Sequence, residues 1–295
     1  MGLCDNPESL YDGTMFASKS TTDGWLAKLD LEFERRADAT ILARRSHVGP
    51  LRVQKPLYPE DVEVCHTLLL HPPAGIAGGD ELEISVVVRD DAHALLTTPG
   101  AGKWYRSAGP CASQKILLDV GAGGALEWLP QESIVFDGAK AKMQTRVALA
   151  ANASFIGWEV LCLGRRASGE RFDSGALCLS TRIERGGKPI WLERGMFEGG
   201  SMLLHSPAGF AGYSVSATLL AVGGGLDSAL LAACRKQLPE EGNVLYGLTL
   251  LPDVLVARYL GHSSEAARAW MIALWHLLRP AMVGREALMP RIWNT

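Results

Sequence analysis

The side chains best suited to chemistry in this sequence are one thiol, two imidazoles and a set of carboxylates. Cys65, His66 and His71 fall within one short segment, and thiolate and imidazole both suit Ni(II), whose ligand preferences overlap those of zinc. A strand over residues 62 to 70 places Cys65, Thr67 and Leu69 on one face and Val64, His66, Leu68 and Leu70 on the other. Cys65 and His71 can then share a face. Two ligands on one strand are not a site, and free cysteine is usually core, so the competing reading is a buried thiol beside hydrogen-bonded structural histidines. The next segment, His71-Pro72-Pro73-Ala74-Gly75-Ile76-Ala77-Gly78-Gly79-Asp80, cannot continue the strand, because its prolines lack donors and its glycines allow backbone angles closed to other residues. It is a shaped loop that ends on Asp80, which serves either as a turn cap or as a functional carboxylate.

Glu127, Glu132, Glu159, Glu170 and Glu193 each stand beside bulky apolar residues or glycine-rich turns. A buried carboxylate must be paired, hydrogen-bonded or solvated by internal water. One reading is therefore structural ion pairs, with Arg165, Arg166 and Arg194 as mates, and the other is a wet passage for a cation. The run Thr97-Thr98-Pro99-Gly100-Ala101-Gly102-Lys103 fails as a phosphate-binding loop, since Thr97 stands where its first Gly belongs and Trp104 follows the Lys. Lys103, Trp104, Tyr105 and Arg106 combine aromatic and cationic side chains at a loop edge, as protein interfaces do, although ordinary surface packing accounts for them equally. There is no GxSxG elbow, no HExxH and no cysteine in an evident His-activated setting. Catalytic groups can still converge from distant positions, so a metal-dependent hydrolase built on the same carboxylates stays as the alternative.

The elements that must position these groups are mostly strands. Leu29, Leu31 and Phe33 alternate with charged residues, Leu82, Ile84 and Val86 alternate with Glu81, Glu83 and Ser85, and further short runs cover 94–98, 115–120, 125–129, 146–150, 155–163 and 176–184. Their even spacing predicts many antiparallel strands. Helical periodicity comes late. One helix is expected after Asp227, carrying Leu230, Leu231, Cys234 and Leu238 and ended by Pro239. A second starts at Ser263 or Ser264 and sets Ala267, Trp270, Met271, Leu274, Leu277 and Leu278 on an apolar stripe before Pro280. That stripe is either core or, through Trp270, Leu274 and Leu277, an interface for a partner. Residues 1–24 lack periodicity and are expected to form a flexible tail, followed by a single domain over 25–295. Within it a β-rich body to about residue 222 precedes a smaller mixed part from about 226, the glycines 223–225 lying between them. No repeat of fixed period is visible.

Composition narrows the function. The 295 residues are 47% hydrophobic and 21% charged, which is ordinary globular composition. A net charge of -3 with scattered Lys and Arg gives no footprint for nucleic acid. No run approaches a membrane-spanning length, and six widely spaced cysteines without a CxxC pair or a leader-like apolar stretch predict reduced thiols in the cytoplasm.

These motifs also occur together in a known family. Val48-Gly49-Pro50-Leu51, Gln54-Lys55-Pro56-Leu57-Tyr58-Pro59, Cys65-His66, the loop ending at Asp80, TTPGAGKWYRS from Thr97, LEWLPQE from Leu126, GRRASGE from Gly164 and Leu288-Met289-Pro290-Arg291-Ile292-Trp293 resemble, in this order, the UreD (UreH) urease accessory proteins. The resemblance spans roughly Trp25 to Trp293. Two positions depart from it: Ala74 stands where the loop usually has Gly, and Gly102 where Ser or Thr commonly precedes the Lys. The resemblance implies a mainly β fold of stacked antiparallel or mixed strands, β-helix-like and elongated, with a few helices toward the C-terminus. It implies a non-enzymatic chaperone or scaffold that binds the urease apoprotein together with the accessory proteins UreF and UreG, a GTPase, with no tightly bound cofactor. Transient Ni(II) would travel through an internal polar passage, for which the motifs point to Asp80, Glu159, Glu170 and Glu193, with Cys65, His66 and His71 behind them.

Overall fold

The computed structural model describes residues 24–240 and 242–294, so the expected N-terminal tail apart from Gly24, and Cys4 within it, lie outside the described residues. Period-two burial builds the strands. In β1 (Leu26–Arg36) the side chains of Ala27, Leu29, Leu31 and Phe33 are buried, and in β5 (Glu81–Val88) those of Leu82, Ile84, Val86 and Val88. By contrast, β4 (Val64–Leu70), β6 (His93–Thr97) and β9 (Ala125–Leu129) are buried on both faces, the pattern of strands covered on either side.

The chain builds its body by stepping between two sheets. From β4 it crosses to β5, returns to β6, passes through β7 (Gly102–Trp104) to β8 (Ala112–Val120) and returns to β9. The third circuit runs through β10 (Ser133–Val135), β11 (Lys140–Leu149) and β12 (Ser154–Leu163) to β13 (Ala176–Arg185). Strands on the same side stack in parallel: Glu81 lies beside Ser113 and Ala112 beside Ala141 in one sheet, and Val64 beside His93 and His93 beside Ala125 in the other. The result is a β-solenoid, the stacked, mixed body that was expected. Its central pairing is parallel, where even strand spacing predicted antiparallel, because each circuit leaves a sheet and re-enters it in the same direction.

Antiparallel strands finish the edges. β2 (Ala39–Val48) pairs with β1, β14 (Lys188–Glu198) with β13, and β3 (Arg52–Val53) with β4. β15 (Val215–Val222), β17 (Leu255–Gly261) and β16 (Leu245–Leu250) extend the second sheet beyond β12. Among the described residues the first sheet runs β14-β13-β11-β8-β5-β1-β2 and the second β16-β17-β15-β12-β9-β6-β4-β3, with β7 and β10 beside it.

Three α-helices are found among the described residues, the shortest being α1 (Met202–His205). Asp227 caps α2 (Ser228–Cys234), accepting from the Leu230 N–H at 2.7 Å. This helix stops a turn earlier than predicted and leaves Leu238 exposed. α3 (Ser264–Val283) is capped by Ser263 and runs past its predicted end. Pro280 sits in the last turn, and Gly284, at a φ of +69°, terminates the helix by donating to the Pro280 carbonyl at 3.0 Å. No helix among the described residues is long and apolar enough to cross a membrane.

Two cores result. Inward residues of both sheets form the larger one, and the outer face of the second sheet packs Val64, Leu95, Leu129, Trp158 and Leu219 against Trp270, Met271, Leu274, Trp275 and Leu278 of α3.

Candidate functional site: a cavity between the sheets

The two sheets do not close on each other everywhere; between them lies a cavity of about 740 Å³. Its lining reaches from Leu51, Leu69 and His71 beside β4 to Leu245, Tyr246 and Gly247 on β16. One stretch of the wall is apolar, with Leu82, Ile84 and Ile116 from β5 and β8. Farther along, strand pairing sets polar side chains in rows. In the second sheet Glu159 lies opposite Thr218, Thr218 opposite Arg258, and Arg258 opposite Gly247. In the first sheet Glu193 lies opposite Thr181, which pairs with Thr145. All of these residues line the cavity.

The rows meet where the Arg258 guanidinium donates to Glu193 Oε1 at 2.8 Å, with its Cζ 5.7 Å from the Trp191 ring centroid. Glu159 is set deeper. Burial, and then the negative charge of Glu193, pushes its carboxyl up to about 7. The structure thus brings Glu159 and Glu193 together on one cavity.

Of the other predicted residues, His71 and Lys103 also line the cavity and the rest lie outside its lining. Asp80 is buried, and its two carboxylate oxygens accept the backbone N–H groups of Trp25 and Ala77, each at 2.9 Å. It ties the start of β1 to the loop before β5. Glu170 accepts from Arg165 at 2.6 Å and from the Asp137 N–H at 3.2 Å, outside the cavity lining. The Arg165 bond chiefly holds its carboxyl below the usual range. Cys65 points into the inter-sheet core, where burial pushes its thiol up. His71 lines the cavity near Asp80 with its Nε2 buried and unbonded, and burial lowers its pKa against the pull of the Asp80 charge. Of the aromatic–cationic run, Trp104 is buried, Lys103 lines the cavity, Tyr105 stacks edge-on against Phe136 and Arg106 pairs with Asp137. Trp270 and Leu274 are buried in this chain's own core, with Leu277 packed at its margin, so α3 spends its apolar stripe on the second sheet.

A second polar cluster went unread in the sequence. Arg279, fully buried on α3, donates from Nε to both Glu127 oxygens at 3.0 Å and grips Glu60 with both terminal nitrogens, at 2.9 and 2.7 Å. Glu127 also accepts from Trp275 at 2.6 Å and contacts His93 at 2.8 Å, while Glu60 contacts His66 at 2.7 Å. His66 is therefore engaged beneath α3, on the face opposite Cys65. Burial alone would raise both carboxyls. The bonds from His66 and Arg279 instead hold Glu60 at about 2, and His93, Arg279 and Trp275 hold Glu127 below its ordinary value. The sequence did carry a signal: Glu127 interrupts the apolar strand ALEWL, and Arg279 falls on the buried side of α3 with Trp275, Leu278 and Met282. Among the described residues no three His, Cys, Asp or Glu side chains gather into a metal cage, and Cys65, Cys111, Cys162, Cys178 and Cys234 are free thiols.

Comparison with known proteins agrees with the motifs. The profile of the UreD urease accessory protein family matches residues 26–294. A protein of Dechloromonas aromatica (strain RCB) named urease accessory protein UreD is 57% identical over 274 residues, covering 92% of this chain and 95% of its own. Proteins of the same name from Azoarcus sp. (strain BH72) and Methylobacillus flagellatus are 54% and 45% identical, each across 92% of this chain and 95% of their own length. With a profile match over almost every described residue and relatives this similar from end to end, the chain belongs to the UreD urease accessory protein family.

Proposed function

We propose that this chain is a cytoplasmic urease maturation factor that binds the urease apoprotein, with the accessory proteins UreF and UreG, and conducts Ni(II) toward the dinuclear nickel site. Nickel is cargo here rather than a resident cofactor. The observation that carries the proposal is the cavity between the sheets, with Glu159 and Glu193 on one reach of it. Carboxylates spaced along a wall can exchange a hydrated dication with water, whereas a closed cage of ligands would retain it. Thr145, Thr181 and Thr218 add neutral oxygens that can bond to its hydration shell. The alternative, a metal-dependent hydrolase built on the same carboxylates, would need converging ligands around a catalytic metal and would turn over its substrate without urease.

Co-expression with urease and the other accessory proteins tests the reading. Glu159→Gln with Glu193→Gln is expected to leave the assembly intact on co-purification and to lower nickel-dependent urease activity. Undiminished activation by the double variant would refute the conduit and leave a purely structural adaptor.

A further inference from the structure

Lys103, Arg194 and Arg258 all line the cavity, and a simple conduit does not explain the last of them, a cation paired directly with one of the two passage carboxylates. Its position is defined by the fold. Arg258 stands two strands from Glu159 in the same inward row, with Thr218 between them, and its guanidinium occupies Glu193 at 2.8 Å. The next residue in the row is Gly247, where an added Cβ would meet nothing within 4 Å, so the side of Arg258 away from Glu159 is open.

We propose that Arg258 is a specificity-determining counter-ion: it holds Glu193 closed to monovalent cations and yields it to a dication. The inference rests on the conduit reading and deepens it. A sodium or potassium ion offers Glu193 no more charge than the guanidinium already there, and it lacks a directed hydrogen bond. A dication carries twice the charge and attracts both Glu193 and Glu159, so it gains where a monovalent ion does not. The Arg258 and Glu193 side chains are 48% and 34% exposed, and an ion pair this wet is weak enough to open. Once released, Arg258 can turn into solvent while keeping its aliphatic stem on the sheet. No bond is made or broken, and one ion pair is exchanged for another.

The test is a nickel titration of the full-length protein, read by calorimetry in buffers of low and high potassium. Arg258→Gln is expected to bind Ni(II) up to roughly fivefold more tightly at low potassium, the factor a partly exposed ion pair can supply, and to lose that gain as potassium rises. Arg258→Lys keeps the charge and is expected to match the parent. Adding Glu193→Gln to Arg258→Gln should cancel the gain. If Arg258→Gln binds nickel like the parent while Glu193→Gln weakens binding, the counter-ion role is wrong and the conduit stands. If Glu159→Gln and Glu193→Gln both leave nickel binding and urease activation unchanged, the conduit reading fails and takes the counter-ion with it.

Discussion

The Arg279 Nε lies 3.0 Å from both oxygens of Glu127, a contact that joins the last helix to a central strand across 152 residues of sequence. Arg279 is fully buried and grips Glu60 with its remaining nitrogens, so one guanidinium pins α3, β9 and the segment before β4 together. Apolar packing holds α3 against the sheet, and this cluster fixes where along the sheet it sits.

Removing that cation leaves two enclosed carboxylates with only His66 and His93 beside them. Arg279→Met is expected to cost about 3–5 kcal/mol of folding stability, measured by urea denaturation. Combining it with Glu127→Gln should cost less than the sum of the two single changes, because the second removes a charge the first has stranded. Strict additivity would show that the two groups do not act as a pair.

The same cluster sets an acid limit. Glu60 is held at about 2 and Glu127 below its ordinary value, so as pH falls the unfolded chain takes up protons before the folded one does. The stabilisation is complete above the ordinary carboxyl pKa and is lost as pH drops toward about 2. Melting temperature is expected to fall steeply across that window, and Glu60→Gln should flatten the fall. An unchanged profile in the variant would remove Glu60 from the account.

Glu159 acts in the opposite direction. Its carboxyl keeps a proton up to about 7, so between the ordinary carboxyl pKa and that point the folded chain binds more protons than the unfolded one, and stability declines as pH rises across that interval. Glu159→Gln is expected to stabilise the protein at pH 8 by about 1–2 kcal/mol, while urease activation falls. A gain in melting temperature together with a loss of activation separates a role in transit from a role in folding; a loss of both would point to structure alone.

Asp80 offers the contrast. Its oxygens cap the Trp25 and Ala77 amides, so Asp80→Ala is expected to cost about 1–2 kcal/mol, and Asp80→Asn, which keeps one acceptor oxygen, less. Activation per folded molecule should be unchanged in both. Activation that drops in Asp80→Asn without any loss of stability would give this carboxylate a part in the passage.

The sequence made strands legible wherever one face is buried and the other wet, as in β1 and β5, because alternation survives there. It also showed the two local helix N-caps, Asp227 and Ser263. The pairing of strands was hidden: β5 meets β8 and β11 meets β13 through successive circuits whose connecting loops differ in length, so a structural repeat leaves no fixed period in the residues. The site divided in the same way. Glu159 and Glu193 were visible as carboxylates in apolar surroundings, yet their meeting across the cavity depends on two sheets facing each other. Arg258 gave no local sign at all, and the expected mates of the buried carboxylates proved right for Arg165 with Glu170 but missed Arg279, which serves Glu127 from the far end of the chain.

The alternation along β12 has a further consequence. Phe155, Gly157, Glu159 and Leu161 line the cavity, while Ile156, Trp158, Val160 and Cys162 belong to the core under the helix, Trp158 and Val160 also reaching the cavity lining. This strand is a partition between the inter-sheet cavity, to which it offers Glu159 as its single charged side chain, and the apolar core under α3, and the two sides are in a fixed phase. Sliding it by one residue would drive Glu159 beneath α3 and Trp158 into the channel, damaging cargo route and helix seat in a single step. Length changes are therefore expected to be tolerated in its turns and not within this strand.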